Sequence, residues 1–303
     1  IMNRYVLIHL YLFMFFRLNA AGQEALNYWY HPHTVSIVGA SSNFINAESD
    51  RLNPAFIFNS EKLMNLSFVQ YPSEITSQLA QVFYPHKEYV LAATIRHISY
   101  GIFKGYNEEG MPTSNYSAAD TWASCSVAKS FYSENIQLGT SIGCFYSNIG
   151  DLSSMLLTGT TGLSLNIDRY NMNVGVALRN LALEMKSYSS NKYYNPILIN
   201  VSTSKNLAYL PLILIIDSDF DTKSKLKNIR LSGIVTLTKD INFKLGTSIN
   251  RLNQSENIDF FKDLFADTGF GFSISTKQYI VDLGTYFYGM GGIIFSMGIG
   301  LKI

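Results

Sequence analysis

The chain has 303 residues, 47% of them hydrophobic and 15% charged, with a formal net charge of +1. Soluble chains average roughly 25% charged, so the deficit calls for an apolar environment; Lys and Arg are scattered, which excludes the electrostatic footprint of a nucleic-acid or anionic-lipid binder. Phe (20) and Tyr (20) against Trp (2) fit the aromatic girdles of a membrane barrel, and also an aromatic-rich soluble β-sandwich.

In chain order, Asn3 and Arg4 precede an apolar run from Tyr5 to Phe16, and Leu18-Asn19-Ala20-Ala21 offers small residues for cleavage. Residues 1–21 therefore read as a secretory signal peptide, with a buried helix as the alternative. Beyond them no apolar run approaches the roughly 20 residues of a transmembrane helix, so any membrane crossing is left to strands. Residues 22–62 show weak periodicity and read as a periplasmic or plug segment. Within it, His31 and His33 straddle Pro32 and, without a third ligand in sequence, are expected on a surface loop; no metal site or cofactor is expected. Asn53-Pro54-Ala55 reads as a turn: Pro54 fixes φ and removes a donor, and Asn53 can bond its own backbone.

From Leu63 onward the pattern predicts strands at Leu63 to Tyr71, Ser77 to Tyr84, Tyr89 to Tyr100, Ser117 to Phe131, Ile136 to Ser147, Met155 to Asp168 and Met172 to Leu181. Ile197 to Ser204, Leu210 to Asp217, Leu231 to Thr238, Ile241 to Asn250, Gly269 to Thr276, Tyr279 to Tyr288 and Ile293 to Ile303 follow, about 14 in all. Links on one side are short (Pro85 to Glu88, Ser133 to Asn135, Lys239 to Asp240). Those on the other are long and polar (Gly101 to Tyr116, Ala182 to Pro196, Ser218 to Arg230, Arg251 to Thr268). That asymmetry is expected of an outer-membrane barrel with short periplasmic turns, and not of Greek-key links.

Alternation agrees. The last strand carries Ile293, Phe295, Met297, Ile299, Leu301 and Ile303 on one parity and Ser296, Gly298, Gly300 and Lys302 on the other. Leu210 to Ile216 does not alternate, as suits a strand with lipid outside and a plug inside. Parity assigns Arg96, Arg179, Lys244 and Asp282 to the lumen, since Arg or Lys at the lipid midplane costs about 2–4 kcal/mol. Structural pairing in a filled lumen is expected of them before substrate guidance. If the turn after the fourth strand is Glu134-Asn135, Cys125 and Cys144 face each other across a hairpin, either bonded or as two lipid-facing thiols. Gly289-Met290-Gly291-Gly292 reads as a hairpin link, and no Gly-x-Ser-x-Gly, His-Glu-x-x-His or phosphate loop points to an enzyme. The fold class is thus all-β, a transmembrane up-and-down antiparallel β-barrel over residues 63–303.

Three segments together resemble a known family. Val38-Gly39-Ala40 followed by Leu52-Asn53-Pro54-Ala55, then Tyr100-Gly101-Ile102-Phe103 with Glu109-Gly110 and Ser117-Ala118-Ala119-Asp120, and Gly175-Val176-Ala177-Leu178-Arg179-Asn180-Leu181 are similar to segments of FadL-like barrels of the PorV and PorQ type. Val38 stands where that family has the first Gly of Gly-Gly-Ala. The carboxyl end, Ser296, Gly298, Leu301 and Ile303, resembles the last strand that barrel-assembly machinery recognises, with Ile in place of the usual Phe. The resemblance implies an outer-membrane protein that is a non-enzymatic accessory of type IX secretion, delivering or attaching cargo, with its plug anchored through Gly39, Asn53, Pro54 and Ala55. Implied partners are outer-membrane lipid, secretion-system proteins and the assembly machinery, around a monomeric barrel. The alternative within the same superfamily is a channel for small hydrophobic compounds.

Overall fold

The structure is a computed structural model that describes residues 24–42, 44, 47–131, 135–188, 197–251 and 264–303. The signal-peptide reading, the Ser133-Glu134 part of one turn and parts of two outer loops lie outside those residues.

Fourteen antiparallel strands close on themselves, each pairing with its sequence neighbours and the first with the last. They are β1 (Leu63–Gln70), β2 (Thr76–His86), β3 (Tyr89–Phe103), β4 (Tyr116–Phe131), β5 (Ile136–Ile149), β6 (Leu152–Ile167), β7 (Met172–Lys186), β8 (Leu198–Asn206), β9 (Leu212–Asp221), β10 (Leu226–Thr236), β11 (Ile241–Ser248), β12 (Thr268–Ser275), β13 (Tyr279–Phe287) and β14 (Ile293–Lys302). The seam runs from Leu63 opposite Lys302 to Gln70 opposite Phe295. A closed sheet has no free edge, and every strand satisfies its backbone within the wall, as a bilayer demands. Closure also rules out the soluble sandwich.

Alternation does the sorting. On β14, Phe295, Met297, Ile299 and Leu301 are exposed on the outer face, whereas Ser296, Gly298 and Gly300 turn inward. No described helix is long and apolar enough to cross a membrane; the crossing is made by strands whose outer residues form an apolar belt. This is an outer-membrane barrel.

Two expectations about the links change. Ser218 to Arg230 is no long loop: β9 continues to Asp221 and β10 starts at Leu226, with one register shift between Leu226 and Asn228. Polar residues hid the strand pattern there because Asp217, Asp219 and Arg230 pair with charges inside the lumen. On the same side, β5 and β6 run further than expected and are joined by only Gly150 and Asp151. The cysteines are not opposed either. The register sets Cys125 against Ile142 and Cys144 against Ala123, and both thiols are free.

The core is the lumen, filled by the segment before β1. It contains a 3-10 turn at Glu24–Asn27, helix α1 (Pro32–Ser36), helix α2 (Ser49–Leu52) and a second 3-10 turn at Pro54–Asn59. Ile37 and Ala40 pack on Ile215 and Ile234, with Ile213 beside them, which is why β9 reads as apolar on both faces.

Candidate functional site: the plugged lumen

Seating of the plug depends on wall residues without side chains. A Cβ at Gly139 would lie 2.2 Å from the Pro54 carbonyl carbon, one at Gly162 would lie 2.0 Å from Asn53 Oδ1, and one at Gly175 would lie 2.5 Å from the Phe56 ring. Gly139 and Gly162 are register partners, so β5, β6 and β7 offer one shallow trough that takes the Asn53–Phe56 turn. In that turn Asn53 Oδ1 accepts from the Ala55 N–H at 3.1 Å, and Nδ2 donates to the Leu163 carbonyl at 3.3 Å. Pro54, at the first position of the 3-10 turn, needs no amide donor there. A second trough on the opposite wall, with Gly246, Gly269, Gly271 and Gly284, holds α1 and the residue after it at similarly close approach. Gly298 of β14 borders the same helix: its Cβ would meet His31 and Pro32 at 3.2 Å.

Charges then tie the plug to the wall at three places. Glu48 is wholly buried and accepts from the N–H groups of Tyr30 and His31 at 3.0 and 3.1 Å, from the Thr34 hydroxyl and from Arg51 at 3.1 Å. This carboxylate organises the plug itself. Asp50 reaches the wall, accepting from Arg96 at 2.6 Å, Gln81 at 2.9 Å and Ser124 at 3.0 Å, while the Arg96 guanidinium lies 4.8 Å from the Trp122 ring centroid. On the far wall, Arg179 donates to the Leu52 carbonyl at 2.7 Å and sits 3.4 Å from Asp219. Arg230 lies 2.6 Å from Asp217 and 2.7 Å from Asp219, and Asp217 accepts from the Ser41 hydroxyl at 2.6 Å. Arg179 faces inward on the parity of Asn173, Gly175 and Ala177, and the β6–β7 register slip between Gly159 and Thr161, where Asn180 takes φ +60°, turns Asn180 inward beside it.

The third tie corrects the reading of the histidines. His31 is buried in the lumen and His33 nearly so, and Asp282 supplies the third potential ligand that the sequence spacing could not show. The three ligand atoms lie within 4.8 Å of one another. Lys244 Nζ is 2.6 Å from both His33 Nδ1 and Asp282 Oδ1 and 2.7 Å from Ser273 Oγ. An ammonium therefore holds the position a divalent ion would take, and the cluster fastens α1 to β11, β12 and β13.

The other residues singled out from the sequence lie in the plug and along the last strand. Gly39 follows α1 with φ +74° and its N–H donates to the Thr34 carbonyl at 2.7 Å, closing the helix. Ser296 donates to the Gly284 carbonyl inside, and Leu301 and Ile303 are exposed outside. Sequence reasoning missed Glu48, Asp50, Asp217, Asp219 and Arg230. Their signal was present only as charge in an otherwise charge-poor chain.

The plug also packs on an apolar patch of the wall, beyond which Asp120, Ser147 and Ser154 face inward. Leu79, Ile98, Trp122, Phe145, Leu156 and Ala182, all on inward parity in the outer halves of their strands, pack with Leu26 and Tyr30 of the plug, and Tyr28 and Tyr100 border them.

No family model and no curated protein matches this chain. Among solved structures, it is similar to the Pseudomonas putida toluene transporter TodX, at 9% identity over 90% of this chain and 98% of that one, with a TM-score of 0.65. A TodX deltaS2 mutant, described as a monoaromatic hydrocarbon channel, aligns at 10% identity over 90% of this chain and 99% of that one, with a TM-score of 0.62. The fold is that of the TodX barrel. At this identity the likeness is one of architecture.

Proposed function

We propose that the barrel is a channel admitting small hydrophobic compounds through the outer membrane, with no catalytic step. The observation that carries the reading is the apolar inward face that the wall presents to the Leu26–Tyr30 part of the plug. Inward parity in a water-filled porin is polar, whereas here Ile98, Trp122, Phe145 and Leu156 occupy it. Toluene-like solutes partition into such a face once the plug residues Leu26 and Tyr30 that cover it move aside. The TodX-like fold supports the same reading.

The secretion-accessory role rests on the short sequence segments around Gly39, Asn53, Gly101, Ser117 and Gly175, and the structural comparisons lend it no support. Both readings meet one test. The protein is produced in the outer membrane of a host stripped of its own hydrophobic-compound channels, and the initial uptake of labelled toluene by intact cells is measured. A several-fold rise over the empty vector is expected; an unchanged rate removes the channel reading.

A further inference from the structure

The buried acids among the described residues fall into two groups. Glu48, Asp50, Asp217, Asp219 and Asp282 each have an Arg or Lys nitrogen at 3.1 Å or closer. Asp120 and Asp267, equally buried, are in no ion pair with a described residue. Asp267 is sealed by its own surroundings: it is 1% exposed and accepts from the Ser248 N–H at 2.8 Å, the Ser248 hydroxyl at 2.6 Å and the Tyr286 hydroxyl at 2.5 Å. Asp120 is met by two neutral hydroxyls alone, Tyr100 donating to Oδ2 at 2.7 Å and Ser147 to Oδ1. A carboxylate accepts about four hydrogen bonds, so each oxygen keeps a free lone pair.

Its position is the outer mouth. Asp120 follows Ala118 on the inward parity of β4, between the strand's first residue, Tyr116, and the apolar patch that begins at Trp122. His97, opposite Thr121, is on the outward parity and meets the Thr121 hydroxyl instead. Two more half-buried tyrosines adjoin the Asp120 cluster: the Tyr28 ring centroid lies 6.5 Å from that of Tyr100 at 60°, and the Tyr188 hydroxyl donates to Ser147 at 2.5 Å. A carboxylate drawn out of water calls for a counter-charge, and an aromatic face attracts a cation within about 6 Å of its centroid.

We propose that the outer mouth binds a hydrophobic amine in its ammonium form, the N–H groups donating to Asp120 and the apolar body lying against Tyr28 and Tyr100. The same carboxylate repels a fatty acid or any other anion. A divalent metal ion fits less well, because it needs about six oxygen ligands and Asp267 stands on β12, six strands from β4 around the wall. The site goes beyond the channel reading and does not depend on it, since binding at the mouth needs no path through the lumen.

The test uses the full chain refolded in phosphatidylcholine vesicles at pH 7 and two photoactivatable probes of one shape, a diazirine-bearing benzylamine and the matching benzyl alcohol. The amine is expected to label residues 28–30, 98–100 and 118–122 several-fold more than the alcohol does, and excess unlabelled benzylamine to suppress that labelling where an equal concentration of sodium chloride does not. Asp120→Asn, which keeps an acceptor for the hydroxyls and whose insertion is verified by heat-modifiable migration, is expected to lose the preference, and Asp267→Asn to keep it. Equal labelling of the native chain by the two probes overturns the proposal whether or not Asp120→Asn inserts. A preference unchanged in Asp120→Asn, or suppression by sodium as strong as by benzylamine, overturns it as well. Toluene uptake is measured separately, so failure of the amine site leaves the channel reading standing, and the reverse holds too.

Discussion

At the residue scale, the sharpest conflict between local preference and tertiary demand is Val38. It adopts φ +56° while buried against Val69, Tyr71, Tyr286 and Ile294. A β-branched residue in the left-handed region costs about 1–2 kcal/mol. This is the position at which the resembled family carries Gly. Val38→Gly removes that strain but also the roughly 1.5–3 kcal/mol of a buried Val side chain, so it is expected to change stability by no more than about 1–2 kcal/mol. Val35→Ala, in the regular backbone of α1 with no strain to relieve, is expected to cost about 1–3 kcal/mol. Urea unfolding of the refolded barrel compares the two, and a Val38→Gly cost at or above that of Val35→Ala would show that the strain is unimportant.

At the element scale, the unit that matters is a turn seated in a trough of glycines. Gly139 and Gly162 are ordinary small residues in a strand pattern, and nothing in their spacing says that a plug lies over them. Gly139→Ala drives its Cβ into the Pro54 backbone at 2.2 Å. The turn has no side-chain end that can give way, so it must lift. Gly159→Ala is the control, because its Cβ meets nothing nearer than 3.5 Å. Trypsin acting on the refolded protein is expected to cut after Arg51 faster in Gly139→Ala than in the native chain, with Gly159→Ala unchanged. Equal protection in all three would mean that the trough does not seat the plug.

At the scale of the whole molecule, closure of the lumen rests on charges that are individually weak evidence of stability but costly to break singly. Arg96→Gln leaves Asp50 buried with its principal cation gone, a loss of about 3–5 kcal/mol. D50N/R96Q removes both charges and is expected to cost less than the single change. Current through planar bilayers is the readout: native protein is expected to conduct rarely, and Arg96→Gln to open for long periods as the plug leaves the wall. If Arg96→Gln and the native protein conduct alike, the Asp50–Arg96 pair does not hold the plug.

Strand number, alternation and the inward assignment of charges follow from the order of residues because a strand has period two and a bilayer rejects charge; Phe272 and Ile274 could face only oil, and Ser273 only the interior. The Cys125 register, the strand hidden in Ser218 to Arg230, and the gathering of His31, His33, Lys244 and Asp282 were decided by tertiary structure. Those residues lie up to 251 positions apart in the chain, and only closure of the sheet around the plug supplies the partners that let buried charge replace alternation as the signal.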